Sequence, residues 1–335
     1  MLTKCNALVT IPEGLLKRQI FTKDTMQSLE QIVNVTWNPQ SRDYTEEELC
    51  EVIKGKHVCL TGWGTHKITA KVLNNANKLK FIGHMAGTIK GLVDEAFFNK
   101  GVIITNANTA LAYSVAEYCL MVALMTTWDI LGTIGKVKSK QWPNNNDVVD
   151  GLNGKTVGLL GYGTIAKRFI SLLKTFDVKI YVNSGNCPIE EADVYGFELC
   201  SLEDVLKCNI ISIHKTLTTI TYHMLNKDKL KIIPDNAIVI NTARGAVFDE
   251  NDLIKELKKN RFKAVLDVFE QEPLPNGHIL RKLPNVIITP HCAATSLYWR
   301  RQLPKLIIED LQLFLEGKEP KNIIHLDKYR SMSIK

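Results

Sequence analysis

One six-residue run constrains this chain more than any other: Gly161-Tyr162-Gly163-Thr164-Ile165-Ala166. Directly before it, Lys155-Thr156-Val157-Gly158-Leu159-Leu160 reads as a buried strand by its apolar run. Directly after it, Ile165, Phe169, Leu172, Leu173 and Phe176 recur at helical intervals, and a further strand is expected at Val178 to Val182. Gly161 permits a tight turn, and Gly163 lets the backbone approach a pyrophosphate. Ala166, in the place of a third glycine, keeps helix and strand close. The free N–H groups at the helix start, those of Thr164 and Ile165, then face the phosphates with the helix dipole behind them. A glycine turn without a ligand does not account for the whole strand–turn–helix–strand context, so the segment reads as a dinucleotide-binding turn.

The rest of the chain alternates short β-branched runs with amphipathic helices, the pattern of parallel sheets covered on both faces. In the first third, His57 to Leu60, Leu79 to Ile82 and Val102 to Thr105 read as strands, after a short strand-like run that follows Met1 to Lys4. Glu46 to Ile53, Ile68 to Asn74 and Val93 to Phe98 read as helices between them, and a long apolar helix is expected over Ser114 to Ile134. A polar, irregular stretch, Gln141 to Asn153 with Trp142 and Pro143, precedes the glycine turn. After it, strands are expected at Ile210 to Ile213, Ala237 to Ile240, Ala264 to Leu266 and Val286 to Ile288, completing a doubly wound sheet. A helix over Leu303 to Leu315 cannot extend that sheet and is expected to return to the first domain. At 335 residues the chain suits two domains. The expected architecture is α/β with two doubly wound domains. A Rossmann-type domain, 113–296, is inserted in a flavodoxin-like one formed by 1–112 and 297–335.

Charge and composition remove several functions. The net charge of +7 is spread thinly, and clusters such as Lys258-Lys259 and Arg300-Arg301 are interrupted, so the concentrated stripe that nucleic-acid binding needs is absent. The apolar stretch Tyr118 to Trp128, bounded by Glu117 and Asp129, falls short of the roughly 20 apolar residues of a membrane span. The N-terminus lacks a signal-peptide layout. The eight cysteines are scattered singly, without metal-ligand spacing, which fits a reducing cytoplasm and no metal.

Cofactor choice turns on the end of the second strand of the glycine unit. That strand runs into Val182-Asn183-Ser184-Gly185-Asn186, with no acidic residue to favour NAD and no arginine to favour NADP. Asn183 and Ser184 can hydrogen-bond a ribose but discriminate little; the balance tips slightly to NAD.

Three segments place polar residues at the ends of expected core strands, where open α/β sheets carry their sites. They are Asn241-Thr242-Ala243-Arg244-Gly245, Asp267-Val268-Phe269-Glu270-Gln271-Glu272-Pro273 and Thr289-Pro290-His291-Cys292-Ala293-Ala294. With these, and with Leu152-x-Gly154-Lys155-Thr156-Val157-Gly158 and Val115-Ala116-Glu117, the chain resembles the D-isomer-specific 2-hydroxyacid dehydrogenase family over nearly its whole length. The resemblance implies reversible reduction of a small 2-keto acid by a nicotinamide dinucleotide, of the glyoxylate or hydroxypyruvate reductase kind. Reduction requires a hydride at the carbonyl carbon and a proton at its oxygen. His291 is the implied acid and base, because imidazole titrates near neutrality. Glu272 supports it and is preferred to Glu270 because the family's glutamate directly precedes the proline. Arg244 binds the substrate carboxylate and keto oxygen. The resemblance further places Thr242, Ala243, Asp267, His291 and Ala294 at the cofactor, and Gly87 and Thr88 at the substrate carboxylate. Trp63 either lines the substrate pocket or packs inside.

The departures are specific. The family's L-H-x-P loop is here Ile213-His214-Lys215-Thr216, Cys292 follows the histidine, Ala294 replaces a glycine, and Lys90 stands near a missing aspartate. They point to a subgroup with its own substrate. Other functions on the same fold are a non-enzymatic NAD-sensing regulator and a formate or phosphite dehydrogenase. The helix from Ser114 is apolar around much of its circumference, with Met121, Val122, Leu124, Met125 and Trp128. That predicts a second buried face, and a homodimer as in the family.

Overall fold

The computed structural model describes residues 4–142, 144 and 148–333, so Met1 to Thr3 and Pro143 lie outside the described residues. The chain divides into two compact units, residues 1–111 with 295–335 and residues 112–294. Unit 2 thus interrupts unit 1 in sequence.

Unit 1 is built on five strands: β1 (Asn6–Val9), β2 (Asn34–Trp37), β3 (Val58–Thr61), β4 (Phe81–His84) and β5 (Ile103–Asn106). They pair in parallel in the order β2-β1-β3-β4-β5, a doubly wound order whose reversal lies between β1 and β3. β3 and β4 are buried along their whole length, which is why they read as continuous apolar runs. β2 was not evident in the sequence because it is an edge strand with alternate residues exposed. The Leu303–Leu315 helix packs on this sheet. Gly83 in β4 lies against Ile307, and Phe81 meets Phe314 with ring centroids 5.2 Å apart. Val93 to Phe98, expected as a helix, is a 3-10 turn over Glu95–Lys100.

Unit 2 carries seven parallel strands, β6 (Thr156–Leu160), β7 (Lys179–Asn183), β8 (Glu198–Leu199), β9 (Ile210–Ile213), β10 (Ile238–Asn241), β11 (Lys263–Leu266) and β12 (Val286–Ile288). Their order is β12-β11-β10-β9-β6-β7-β8, so the direction of winding reverses at β6 and β9. The pairing of Leu160 with Ile213 sets the loops after β6 and β9 side by side. β8, only two residues long at the sheet edge, left no sequence signal.

The long apolar helix differs most from expectation. It begins six residues earlier, spans Asn108–Thr127, and stops where Asp129 turns left-handed (φ +45°) before a second helix, Ile130–Lys138. The Thr126 and Thr127 hydroxyls donate back to the carbonyls of Val122 and Ala123 at 2.7 and 3.0 Å, in the last turn before the break. By length and composition the Asn108–Thr127 helix could cross a membrane. In the fold, Val115, Ala116, Cys119, Val122 and Ala123 instead join the core of unit 2 beside β6 and the Thr164–Leu173 helix.

Candidate active site

The glycine turn joins β6 to the Thr164–Leu173 helix at the reversal of strand order. Gly161 has φ +104°, and a Cβ there would lie 2.7 Å from the carbonyl oxygen of His214, so a side chain is excluded twice over. Its N–H donates to the Asn183 carbonyl at 2.9 Å, tying the turn to the end of β7. Gly163 is different: its backbone is extended, and a Cβ would meet nothing within 4 Å. It stands at the N-cap of the helix with no side-chain hydrogen bond, so the first-turn N–H groups, Thr164 and Ile165 among them, have no side-chain cap. Open space before an uncapped helix start is a cradle for an anion, and these residues fit a dinucleotide pyrophosphate. At the end of β7, the Asn183 amide donates to the Cys200 carbonyl at 3.1 Å, while Ser184 stays partly exposed. Ser184 Oγ accepts the Asn186 N–H at 3.4 Å, so both expected ribose contacts are partly exposed and each already has one local partner.

The three residues assigned to chemistry lie on three neighbouring strand ends. His291, after β12, has φ +52° and donates its N–H to the Asp267 carbonyl at 2.8 Å. Its Nδ1 is 2.7 Å from Oε2 of Glu272, whose Oε1 accepts the Phe269 N–H at 3.0 Å. A carboxylate held at both oxygens fixes the hydrogen on Nδ1 and leaves Nε2 to exchange a proton with a ligand. Glu270, the competing carboxylate, turns to His223 Nε2 at 2.6 Å instead. Arg244, after β10, is partly buried. Burial lowers its pKa, and the charge of Glu272 acts in the opposite direction. Gly245 shows why these two loops stay together: a Cβ there would fall on the backbone of Phe269 and Glu270. Asn241 closes the turn, its Oδ1 accepting the Ala243 N–H at 3.0 Å and its Nδ2 donating to the Arg244 carbonyl at 2.9 Å. Nothing had assigned Asn241 a role, although a polar residue ending a fully buried strand was a usable signal.

Asp267, expected at the cofactor, lies beneath the histidine loop. It is fully buried, and Thr289 Oγ1 (2.6 Å) and the N–H groups of Cys292 (2.8 Å) and Ala293 (2.9 Å) all donate to its carboxylate. It is the anchor of the histidine loop. Tyr118 extends the anchor, its hydroxyl 2.6 Å from Thr289 Oγ1, and burial raises its pKa to about 12. Ser114 donates to the Ala293 carbonyl at 2.8 Å, so the long helix holds the same loop from a second side. Thr242 is buried, with its Oγ1 3.4 Å from Cys119 Sγ, while Ala243 and Ala294 are partly exposed.

In unit 1, Trp63 follows β3, partly buried, with the Arg300 guanidinium 5.5 Å from its ring centroid. Gly87 and Thr88 follow β4 and are partly exposed; the Gly87 carbonyl accepts the Asn106 amide, and Thr88 Oγ1 accepts the Lys90 N–H at 3.3 Å. Lys90 points elsewhere, its ammonium 4.1 Å from the centroid of Tyr329.

An uncapped helix start at the reversal of a parallel sheet, with an imidazole–carboxylate pair and a guanidinium on the strand ends beyond, is a nicotinamide-dependent oxidoreductase arrangement. Residues 120–293 match the family model for the NAD binding domain of D-isomer specific 2-hydroxyacid dehydrogenases, more than half of the chain. The glyoxylate reductase of Thermofilum pendens is 34% identical over 297 residues, covering 85% of this chain and 87% of that protein. The D-3-phosphoglycerate dehydrogenase of Methanocaldococcus jannaschii is 32% identical over 307 residues, 91% of this chain, which spans 58% of that protein's length. The crystal structure of the TT0316 protein of Thermus thermophilus superposes with a TM-score of 0.77 at 26% identity, covering 96% of this chain and 100% of that one. The chain belongs to the D-isomer specific 2-hydroxyacid dehydrogenase family, and its chemistry is nicotinamide-dependent 2-hydroxyacid oxidoreduction.

Proposed function

We propose that this chain reduces a small, short-chain 2-keto acid of the glyoxylate and hydroxypyruvate kind to the D-2-hydroxy acid. The observation that carries the residue assignment is the His291 Nδ1–Glu272 Oε2 contact of 2.7 Å, with a partly buried guanidinium that feels the Glu272 charge. Nε2 of His291 gives the proton to the keto oxygen, and Glu272 stabilises the imidazolium before that transfer. Arg244 binds the substrate carboxylate and polarises the carbonyl. A bound nicotinamide supplies the hydride. The N–H groups of Thr164 and Ile165 hold its pyrophosphate at Gly161 and Gly163, Ser184 and Asn183 border the adenosine ribose, and Thr242, Ala243 and Ala294 border the nicotinamide. Trp63, Gly87 and Thr88 are the proposed substrate contacts from unit 1. NAD is favoured slightly over NADP, and the working protein is a cytoplasmic homodimer.

The test is oxidation of NADH and of NADPH against glyoxylate, hydroxypyruvate, pyruvate and longer keto acids. Glyoxylate or hydroxypyruvate should give the highest kcat/KM. His291→Ala should lower kcat by about two to four powers of ten, the usual worth of general acid catalysis. It should leave dinucleotide affinity in place. Arg244→Lys should rescue poorly, because a point charge cannot grip a carboxylate at two oxygens. Turnover unchanged in His291→Ala would remove that residue from the reaction.

A further inference from the structure

Lys215 is left unexplained by the chemistry above. It lies just beyond β9, which flanks β6 at the reversal of strand order. Its backbone nitrogen is 3.0 Å from the point where Gly161 would carry a Cβ, so it is packed against the glycine turn. The side chain is partly buried, and that burial lowers its pKa. Among the described residues its ammonium has no ion pair or hydrogen bond, although a charge drawn out of water is costly without one. Other cations near the turn are engaged. Lys167 Nζ is 2.8 Å from Glu191 Oε1, and the Arg168 guanidinium lies 4.5 Å from the centroid of Tyr113. The segment after β7, Asn183 to Asn186, brings none.

We propose that Lys215 holds a phosphate group of the dinucleotide, completing with its ammonium the anion site that the glycine turn and the uncapped helix begin. This rests on the dinucleotide reading of that turn. A lysine suits the task because its compact charge rides on a flexible stem that can follow a phosphate rather than grip it in one geometry. The phosphate is either the pyrophosphate, shared by NAD and NADP, or the 2′-phosphate of NADP; the oxygens presented are the same.

The experiment measures binding, not turnover. NADH, NADPH and ADP-ribose are titrated calorimetrically into wild-type protein, Lys215→Met and Lys215→Arg, at low and at high salt. Methionine keeps the apolar stem and removes the charge. Kd for all three ligands should rise at least fivefold in Lys215→Met, return most of the way in Lys215→Arg, and depend less on salt in the methionine variant. A rise confined to NADPH also supports the proposal and assigns the charge to the 2′-phosphate. Equal Kd values for wild type and Lys215→Met with every ligand overturn it and leave the dinucleotide reading standing. Wild-type protein that binds none of the three overturns that reading as well. Lys215→Gln repeats the comparison should the methionine variant fold poorly.

Discussion

His84, inside unit 1 with Thr61 Oγ1 2.9 Å from its Nδ1, has its pKa pulled by burial down to about 4. His214, beside the glycine turn with Ser212 Oγ 3.0 Å from its Nε2, is shifted the same way. Because the folded-state pKa lies below the ordinary 6.5, the unfolded chain binds more protons between those values, and stability falls as pH falls through that window. The contribution of His84 is fully present above pH ~6.5 and about 2 kcal/mol of it is gone by pH ~5. His214 is only partly buried as a residue, so its share is smaller. Urea titrations at pH 7 and pH 5 should show the loss, and His84→Asn should flatten it; an unchanged slope in that variant would refute the assignment. At this scale the sequence was most legible where the backbone itself makes the demand. Gly161 could be recognised because its turn leaves no room for a side chain. The choice of Glu272 over Glu270 came from resemblance, since spacing does not tell which carboxylate meets His291 and which meets His223. The anchoring role of Asp267 was not legible for a related reason: full burial and three donors from another loop have no local signature.

Among elements, the histidine loop is the piece most dependent on remote support. It holds His291 at φ +52°, a conformation a non-glycine residue adopts at a cost, and four groups fix it there: Asp267, Thr289, Tyr118 and Ser114. Asp267→Asn replaces an acceptor by a donor facing an N–H, so it should cost about 2–4 kcal/mol of stability and loosen the imidazole. Single-turnover reduction should then slow much more than dinucleotide binding weakens; a variant with wild-type single-turnover rate would show that His291 is positioned by Glu272 alone. Helices and strands followed their sequence patterns where both faces are buried, as in β3, β4, β9 and β10. They departed from it at edges and ends. β2 and β8 are marginal strands that exist because a neighbour is there to pair with. The stop after Thr127 comes at a left-handed Asp129, preceded by hydroxyls bonding back into their own helix, neither of which apolar periodicity registers.

For the whole molecule, the relevant surface is that of unit 2. Val122 belongs to its core, but Met121 on the long helix, Trp128 just after it, and Ile130, Leu131, Ile134 and Val137 on the next helix are exposed. A run of large apolar side chains of this kind on a monomer's surface marks an interface. Light scattering at micromolar concentration should therefore give twice the mass of the 37.7 kDa chain. Leu131→Asp with Ile134→Asp should give the single mass while secondary structure is retained. A monomer in the wild type would mean that something other than a second copy covers this face.

Gly245 sets a limit on how such a protein can change. Because its loop rests main chain against main chain on Phe269 and Glu270, the spacing between Arg244 and the Glu272 loop does not depend on which side chains happen to surround them. Residues around a substrate can therefore be exchanged for larger, smaller or oppositely charged ones without moving the reacting groups apart. Selectivity and chemistry are mechanically uncoupled, so descendants of one chain can acquire new acids while inheriting the reaction intact.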